Sequence, residues 1–501
     1  MTGTKEISYI EAARREKLEA LVARGIEPFA YRYERTHTAR EALEAYQGEK
    51  GGGDEDVSVS VAGRIVALRP HGKSTFMHLG DHTGKIQVYF KRDDLGDEAY
   101  DLLKLMDLSD HIGVRGGLMR TRTEEITVRA EHVELLAKSL RPLPLGKEDA
   151  DGRRHGLLAD AETRYRQRYV DLAVNSDVRE VFQLRATVIR LMRRFFDERG
   201  FTEVETPVLQ PLYGGAMALP FITHHEALNS QLYLRIADEL YLKRCIVGGF
   251  DRVYEICHDF RNEGVDRLHN PEFTMLEFYQ AYADYTDMMS VLEALVSGIV
   301  HEVRGSLQIN DFGTTLDFSV PWRRVDYAEL FQQHAGISVF GSDAELRARL
   351  RSHDDAVDVD GMSRAKMLDE VFKVFVEPGL TQPTIVRDHP IEISPFAKSK
   401  RGEPRLTERF EFFVNGIELA NAFSELNDPD DQRRRFEILA AAREADMAPV
   451  NVIDEDYIRA LEYGMPPTGG LGLGVDRFVM LLSGRSNIRD VILFPALKSK
   501  E

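Results

Sequence analysis

Charged side chains suited to an anionic ligand are concentrated in the segment Arg252–Asp284 (RVYEICHDFRNEGVDRLHNPEFTMLEFYQAYAD). Alternating apolar residues at its start predict a strand, the stretch 262–264 (NEG) breaks it, and a second apolar run begins at Phe273. Two strands joined by a charged loop form a hairpin. Composition alone fits an exposed hairpin with ordinary charges. The same hairpin would also hold four polar side chains over a ligand: Arg261, Glu263, Arg267 and His269.

A second hairpin is predicted in the segment Glu408–Leu419 (ERFEFFVNGIEL). Its Asn-Gly pair at 415–416 is a strong signal for a two-residue turn. Closing that turn places Phe413 opposite Glu418, and Glu411 then shares a face with Glu418 on a diagonal between the strands. Carboxylate oxygens are the ligands that Mg²⁺ prefers. The pair therefore predicts a divalent-cation site, with solvated charges on an edge hairpin as the alternative.

A glycine-rich strand precedes a predicted helix in the segment Gly469–Leu482 (GGLGLGVDRFVMLL). Alternate glycines leave one face of a strand bare, so that a flat ligand can approach it. Asp476 is predicted to cap the helix, which places Arg477 in the first turn beside that ligand. A glycine-rich strand by itself is weak evidence for a ligand site, and it becomes informative only together with the other two segments.

Composition limits the class of protein. The 501 residues exceed one ordinary domain, and 43% hydrophobic with 30% charged residues is typical of a globular chain. No apolar run approaches the roughly 18 residues of a membrane span, and the N-terminus has no targeting signal. Cys245 and Cys257 cannot form a metal cluster unaided and suggest a reducing compartment, so we expect a cytoplasmic protein. A net charge of −18 gives no support for nucleic-acid binding.

The chain divides into regions of different pattern. Residues 1–56 predict a helical extension that ends in the glycine-rich breaker at 48–54. Residues 57–140 predict five short strands with a helix over Glu98–Leu108, which suits an OB-fold barrel. Residues 141–175 form a linker that leads into a large region, 176–501. That region opens with a helical apolar stripe from Val181 to Phe195, which Gly200 ends, and a strand over Phe201–Pro207; residues 286–380 look largely helical.

The order Phe-Arg-Asn-Glu at 260–263, followed by His-Asn-Pro-Glu-Phe-Thr at 269–274, resembles motif 2 of the class II aminoacyl-tRNA synthetases. The glycine-rich strand and helix resemble motif 3, and the helix with the strand 201–207 resembles motif 1. Together with RYRQRYVDL at Arg164–Leu172, these segments make the chain similar to the lysyl-tRNA synthetases from about Val57 to the C-terminus. The fold class implied is α+β: an OB-fold barrel followed by a catalytic domain built on an antiparallel sheet flanked by helices, with residues 286–380 containing a helical insertion. Motif 1 implies a homodimer.

The resemblance implies activation of L-lysine by ATP and its transfer to tRNA(Lys). Activation needs positioning and charge neutralisation around an in-line displacement, rather than a protein nucleophile. Arg261 matches the arginine that bridges the substrate carboxylate and the α-phosphate, and Arg477 matches the motif 3 arginine. The other ATP-contacting positions are Glu263, His269, Phe273 (which stacks on adenine) and Glu411. Glu411 and Glu418 match the positions that hold Mg²⁺.

Selection of lysine requires a partner for its ammonium group when that group leaves water. Glu239 and Glu425 match lysine-contacting positions, together with Gly215, Tyr279, Asn421 and Phe423. Strict strand alternation puts Asn421, Phe423 and Glu425 on the face opposite Glu418, so a bulge near Ala420 is predicted. The loop at 214–221 also departs from the family, because Leu219 stands where an arginine is usual.

The resemblance assigns the β-rich region to the tRNA anticodon. Phe76 is suited to stacking on a base, and Arg69 and Gln87 to its polar edges; a core position for Phe76 is the alternative. Three other functions stay open at this point. An aspartyl- or asparaginyl-tRNA synthetase shares the layout but needs a cationic pocket. A lysyl-transferring paralogue that modifies protein would match only the catalytic half, and a catalytically inactive RNA-binding or scaffold protein would not need the charged residues above.

Overall fold

A computed structural model describes residues 8–46, 57–148, 154–216, 218–353, 358–359, 361–445 and 453–498. The chain forms two compact units, Met1–Val174 and Asn175–Glu501. The predicted breaker at 48–54 lies outside the described residues. None of the helices in these ranges is long and apolar enough to cross a membrane.

The first unit contains a closed barrel with the strand order β1-β2-β3-β5-β4. Its elements are α1 (Tyr9–Ala23), α2 (Ala39–Ala45), β1 (Ser58–His71), β2 (Ser74–Gly80), β3 (Lys85–Lys91), α3 (Arg92–Leu95), α4 (Asp97–Leu102), β4 (His111–Arg120), β5 (Ile126–Ala137), β6 (Leu145–Glu148), β7 (Arg154–Leu157), α5 (Ala161–Arg166) and α6 (Arg168–Val174). Alternate side chains of β2, such as Met77 and Leu79, point into the barrel and are almost fully buried.

The helix predicted over Glu98–Leu108 is wrong in its bounds. The structure has α4 over Asp97–Leu102, followed by a 3-10 turn at Leu103–Leu105, so helical structure begins one residue earlier than predicted and ends before Met106. Gly96, whose φ is +80°, precedes α4 and separates it from the short helix α3. Helical structure between β3 and β4 is nevertheless where the OB-fold prediction put it.

The second unit is built on an eight-stranded sheet with the order β16-β17-β20-β21-β22-β13-β12-β8. The strands of this unit are β8 (Thr202–Glu203), β9 (Leu209–Gln210), β10 (Ile222–His225), β11 (Ser230–Leu234), β12 (Arg252–Phe260), β13 (Glu272–Ala281), β14 (Gln308–Ile309), β15 (Leu316–Asp317), β16 (Arg323–Asp326), β17 (Thr384–Arg387), β18 (Ser399–Lys400), β19 (Glu403–Thr407), β20 (Arg409–Val414), β21 (Ile417–Ser424) and β22 (Thr468–Gly474). The helices are α7 (Ser176–Asp197), α8 (Glu239–Val247), α9 (Tyr285–Arg304), α10 (Tyr327–Ala335), α11 (Asp343–Arg351), α12 (Arg364–Phe375), α13 (Pro429–Ala445), α14 (Glu455–Glu462) and α15 (Val475–Ser483). Neighbouring central strands are antiparallel, and the two outermost pairs, β16 with β17 and β8 with β12, are parallel.

Helix α7 packs on this sheet through the predicted apolar stripe, which also includes Met192 and Phe196. The Phe196 ring lies 5.0 Å from the Tyr254 ring and 4.8 Å from the Phe278 ring, between centroids. The chain leaves the helix through Gly200, whose φ is +73°. The strand predicted over Phe201–Pro207 is much shorter, because only Thr202 and Glu203 pair with β12.

Residues 286–380 are mainly helical, as predicted, but they also include the short strands β14, β15 and β16. Helix α9 packs into the main core. Helices α10, α11 and α12 surround a separate apolar cluster, which includes Phe331, Leu368 and Phe372 and rests on Phe413 of β20.

Candidate active site

A cavity of about 600 Å³ opens over the central strands of the eight-stranded sheet. Its walls come from β13, β20, β21, β22, the start of α8 and the loop between β12 and β13. The residues predicted from sequence for lysine, ATP and metal all line it: Gly215, Glu239, Arg261, Glu263, His269, Phe273, Tyr279, Glu411, Glu418, Asn421, Phe423, Glu425 and Arg477. Arg267, predicted to face the same ligand, does not line this cavity and donates to the Ser486 carbonyl at 3.5 Å.

The turn at 415–416 sets the register of β20 and β21. Asn415 and Gly416 both have positive φ, +52° and +70°, as a type I′ turn requires. Phe413 pairs with Glu418 as predicted, but Phe412 pairs with Ala420. Leu419, which lies between them on β21, therefore forms a β-bulge. The predicted bulge near Ala420 is confirmed.

The consequence of the bulge is a change of face along β21. Beyond it, Glu411 pairs directly with Asn421. Glu418 before the bulge and Asn421 after it therefore both face the cavity, where regular alternation would send them to opposite sides. One strand thus serves both the predicted metal end and the predicted lysine end.

Two arginines, Arg477 and Arg409, donate hydrogen bonds to the two residues predicted to bind the metal. Arg477 donates from Nη1 to the Glu418 carbonyl at 2.8 Å, and its Nη2 lies 3.0 Å from His269 Nε2. Arg409 donates to Glu411 Oε1 at 2.5 Å and to Asn421 Oδ1 at 3.1 Å. Sequence reasoning missed Arg409, although its position two residues before Glu411 on one strand places both on the same face.

Two more carboxyl groups, from the helical part of the unit, line the same end of the cavity. They belong to Asp369 and Glu377. Burial, together with the charges of Glu418 and Glu411, raises the pKa of Glu377 to about 7, and burial raises that of Asp369 to about 6. The sequence offered no signal for either, because both lie outside the matched motifs.

The capping role predicted for Asp476 is wrong. Gly474 occupies the N-cap position of α15, and Asp476 lies inside the first turn. Its carboxylate accepts from the Thr274 amide at 2.7 Å and from Arg185 at 2.5 Å. Asp476 therefore ties α7 and β13 to α15, which fixes the turn that carries Arg477.

Arg261 and Phe273 flank the loop between β12 and β13. The Arg261 guanidinium carbon lies 5.0 Å from the centroid of the Phe273 ring, and its Nε donates weakly to the Ile236 carbonyl at 3.4 Å. Glu263 and His269 are exposed on the loop, where His269 Nδ1 lies 2.8 Å from Asp266 Oδ2. The planar guanidinium and the ring next to it are thus presented to the cavity with few bonds of their own.

The predicted lysine end is a buried group of charges. Glu239 and Glu425 are 6% and 2% exposed, and the ammonium of Lys243 forms ion pairs with both. Burial raises the pKa of both carboxyls, against the opposing charge of Lys243. Burial also disfavours the charged form of Lys243, but Glu239 and Glu425 outweigh it and hold the pKa well above its usual value. The sequence did not single out Lys243, although it lies four residues after Glu239 on one helix.

Gly470 of β22 makes room for this group. A Cβ at Gly470 would lie 2.1 Å from Glu425 Oε1 and 2.4 Å from the Tyr279 ring. Across the pocket, Gly215 has a φ of +87° and packs against Ala237 and Glu239. The strand face that the glycines leave bare is therefore covered at Gly470 by the side chains of Glu425 and Tyr279. The alternate glycines of this strand also line the cavity.

Leu219 is peripheral to this pocket. Its side chain is 39% exposed and does not line the cavity. Its carbonyl accepts from the Asn262 amide at 2.8 Å, which joins the loop at 214–221 to the end of β12.

The barrel of the first unit has an outward-facing aromatic pair. Phe76 is half-buried outside the barrel core, and its ring lies 4.8 Å from that of Tyr89 on β3. Arg69, exposed on β1, pairs with Phe76 across the strands. Gln87 is 7% exposed, and its amide bonds Glu125 at 2.6 Å and Thr127 at 2.8 Å. Sequence reasoning missed Tyr89, which strand alternation places on the same side as Gln87.

Comparisons with known proteins agree with this architecture. Residues 59–136 match the family model described as OB-fold nucleic acid binding domain, and residues 160–498 match that of tRNA synthetases class II (D, K and N). The fold and the pocket thus define a class II aminoacyl-tRNA synthetase with an N-terminal OB-fold domain.

Similar curated proteins show which family of class II synthetases the chain belongs to. The chain is 51% identical over 501 residues to the lysine–tRNA ligase of Pelotomaculum thermopropionicum, covering 99% of this chain and 96% of that protein. It is 49% identical over 498 residues to the lysine–tRNA ligase of Carboxydothermus hydrogenoformans, with 99% of both chains covered. The lysine–tRNA ligase of Syntrophomonas wolfei is 50% identical over 495 residues, with 99% and 98% covered. The chain belongs to the lysine–tRNA ligase family.

Proposed function

We propose that the cavity described above is where this lysine–tRNA ligase carries out its chemistry, with the lysine side chain at the Glu239–Glu425 end and ATP along β20, β22 and the motif 2 loop. The enzyme activates L-lysine with ATP and transfers it to the 3′ end of tRNA(Lys). The observation that carries the site assignment is the convergence of the predicted residues, from Gly215 to Arg477, on one cavity.

In the first step a lysine carboxylate oxygen attacks the α-phosphorus of ATP, the bond from that phosphorus to the bridging oxygen breaks, and pyrophosphate leaves. Arg261 is suited to hold both reacting groups, because its guanidinium offers paired donors and, within the described residues, makes only one long hydrogen bond. Phe273 stands beside it as a stacking surface for adenine. Arg477, fixed through Glu418 and His269, adds positive charge where the phosphates lie.

Glu411 and Glu418 fit a divalent cation. Both offer carboxylate oxygens on one side of the cavity; Arg409 donates to the Glu411 carboxylate, and Arg477 Nη1 lies 3.5 Å from Glu418 Oε2. We assign Mg²⁺ there, where it would neutralise charge on the ATP phosphates.

In the second step a terminal ribose hydroxyl of tRNA attacks the activated carbonyl carbon, and AMP leaves. The lysine side chain stays anchored because its ammonium is paired with Glu239 and Glu425, while Tyr279 and Phe423 enclose its methylene groups. Asn421 and Gly215 complete the wall.

The barrel is proposed to bind the tRNA anticodon through Phe76, with Arg69 and Gln87 at the base edges. An outward-facing aromatic pair supports this, since base stacking on aromatic side chains is the usual mode of OB-folds. Gln87 would have to exchange its bond to Glu125 for one to a base.

We further propose a cytoplasmic homodimer joined through motif 1. Support comes from exposed apolar side chains that follow β8: Val208 and Leu209 are 39% and 48% exposed. The functional division proposed is a helical extension (1–56), an anticodon-binding domain (57–140), a linker (141–175) and a catalytic domain (176–501) with a helical insertion within 286–380.

ATP–pyrophosphate exchange with each amino acid in turn tests the function. Lysine should drive exchange, and aspartate and asparagine should not, because their side chains offer nothing to pair with two buried glutamates. Exchange with aspartate or asparagine and none with lysine would overturn the proposal.

A further inference from the structure

Lys243 is a buried cation just behind the lysine pocket. It is 0% exposed and does not line the cavity. Its Nζ lies 2.5 Å from Glu239 Oε1, forms an ion pair with Glu425 Oε2, and stands 5.5 Å from the centroid of the Phe396 ring. Both carboxylates therefore contact Lys243 from one side and the cavity from the other.

The charges of this group add up to a defined value. With both carboxylates ionised, Glu239, Glu425 and Lys243 together carry one negative charge. The phenols of Tyr279 and Tyr457 and the carboxyl of Glu277 also face the group. Burial raises the pKa of all three, which favours their neutral forms. Arg409 acts on Glu239 from a distance, and its own ion pair is with Glu411 at 2.5 Å. One monovalent cation entering from the cavity would leave the site neutral.

We propose that Lys243 determines specificity as a built-in counter-charge, which leaves the Glu239–Glu425 pair with a single negative charge for a single substrate ammonium. The inference rests on the proposed role of those two glutamates. With lysine bound, the carboxylates of Glu239 and Glu425 would each lie between two ammonium groups, that of Lys243 and that of the substrate. Each charge would then have two partners of opposite sign.

The physical basis is the cost of an uncompensated charge in a buried site. Two buried carboxylates without Lys243 would repel each other, and one would take up a proton. Glu425 has an oxygen available for the incoming cation: apart from the Lys243 ion pair, neither carboxylate oxygen has a hydrogen-bond partner in the described part of the chain. Lys243 thus offsets one of the two carboxylate charges by structure, and the substrate ammonium supplies the second cation.

A charge-counting experiment tests this. Glu239→Gln leaves Glu425 neutralised by Lys243, so a substrate ammonium would enter a site with no net charge. Adding Lys243→Met, which has a similar length but no charge, restores one negative charge. We expect the lysine KM in pyrophosphate exchange to rise steeply in Glu239→Gln and to fall back at least about tenfold in the double variant. The pair Glu425→Gln and Glu425→Gln/Lys243→Met should behave in the same way.

The outcomes separate the two levels of proposal. A lysine KM unchanged by Glu239→Gln would overturn the assignment of the pocket itself. A double variant with a lysine KM equal to or above that of Glu239→Gln would show that Lys243 only packs, and would overturn the counter-charge role. The ATP KM of every variant and its far-ultraviolet circular dichroism serve as controls for folding, and both should match those of the unmodified enzyme.

Discussion

Gly470 and Glu425 lie so close together that a Cβ on Gly470 would stand 2.1 Å from the Glu425 Oε1 atom. Gly470→Ala should therefore push Glu425 and Tyr279 out of position and raise the lysine KM by at least about tenfold, with a loss of roughly 1–3 kcal/mol in the free energy of unfolding. Pyrophosphate exchange and thermal unfolding measure the two effects.

Gly474→Ala is the matched control on the same strand. Its Cβ would meet nothing closer than the Leu419 carbonyl oxygen, at 3.7 Å, and its φ of −71° suits alanine. We expect near-normal stability and, at saturating ATP, a near-normal lysine KM; the ATP KM should rise, because Gly474 lines the part of the cavity assigned to ATP. Equal losses in both variants would mean that the strand tolerates no side chain at all, independent of Glu425.

The thermal stabilisation of the enzyme by bound lysine should depend on pH, because the Glu425 carboxyl changes its protonation state. Burial raises the pKa of its carboxyl to about 8, against the opposing charge of Lys243, with Glu239, Tyr279 and Tyr457 also facing it. Because the folded pKa lies above that of the unfolded chain, the free energy of unfolding falls as pH rises from about 4.5 to 8.

Bound lysine offsets that loss by pairing with the ionised carboxylate. The increase in Tm caused by saturating lysine should therefore grow between about pH 6 and 8. Glu425→Gln should show a smaller increase that is flat over this range. A lysine-induced Tm increase in the unmodified enzyme that does not change with pH would contradict the titration of Glu425.

Replacement of the proposed metal ligands should change the requirement for Mg²⁺. Glu411→Gln and Glu418→Gln each remove one carboxylate oxygen donor, and the Mg²⁺ concentration for half-maximal exchange should rise at least about tenfold. Glu403→Gln, at the half-buried start of β19 and outside the cavity, is the control and should leave the Mg²⁺ titration unchanged. Unchanged titrations in both pocket variants would refute a shared site.

Substitutions in the barrel should affect tRNA charging without affecting pyrophosphate exchange, which depends on the pocket. Phe76→Ala should lower the rate of tRNA charging by the equivalent of about 1–3 kcal/mol and leave lysine-dependent pyrophosphate exchange near normal. Tyr89→Ala should act in the same direction, because the two rings lie 4.8 Å apart on one face. Tyr31→Ala, which removes a fully exposed ring, should leave charging unchanged. Equal loss in both assays would instead point to damage to the fold.

Norleucine tests the ammonium requirement without any mutation. It keeps the chain length of lysine but leaves Glu239 and Glu425 without a second cation, and a site built around a buried polar group rejects such analogues by on the order of 10⁴. The ratio of kcat/KM values for lysine and norleucine in pyrophosphate exchange measures this. Similar values for both substrates would show that these glutamates do not form the specificity pocket.

The sequence by itself determined most of the local structure and the identity of the pocket residues. The turn at 415–416 fixed the register of Phe413 with Glu418, because only residues that tolerate positive φ close such a turn. Motif 2 and motif 3 gave the side chains that we propose contact ATP, and the structure places them in one cavity. The barrel followed from short alternating strands, whose pattern is local.

Only the tertiary structure decided which charges face one another. Lys243 and Arg409 were missed because nothing local distinguishes a buried cation from a solvated one. Lys243 pairs with Glu425, which lies far away in the chain, and Arg409 bonds Asn421 on the neighbouring strand. Asp476 looked like a helix cap by sequence, yet its oxygens accept hydrogen bonds from β13 and α7, whose residues lie 202 and 291 positions away respectively. Electrostatic energies depend on separation and burial, and both are set by how the elements pack rather than by the order of residues.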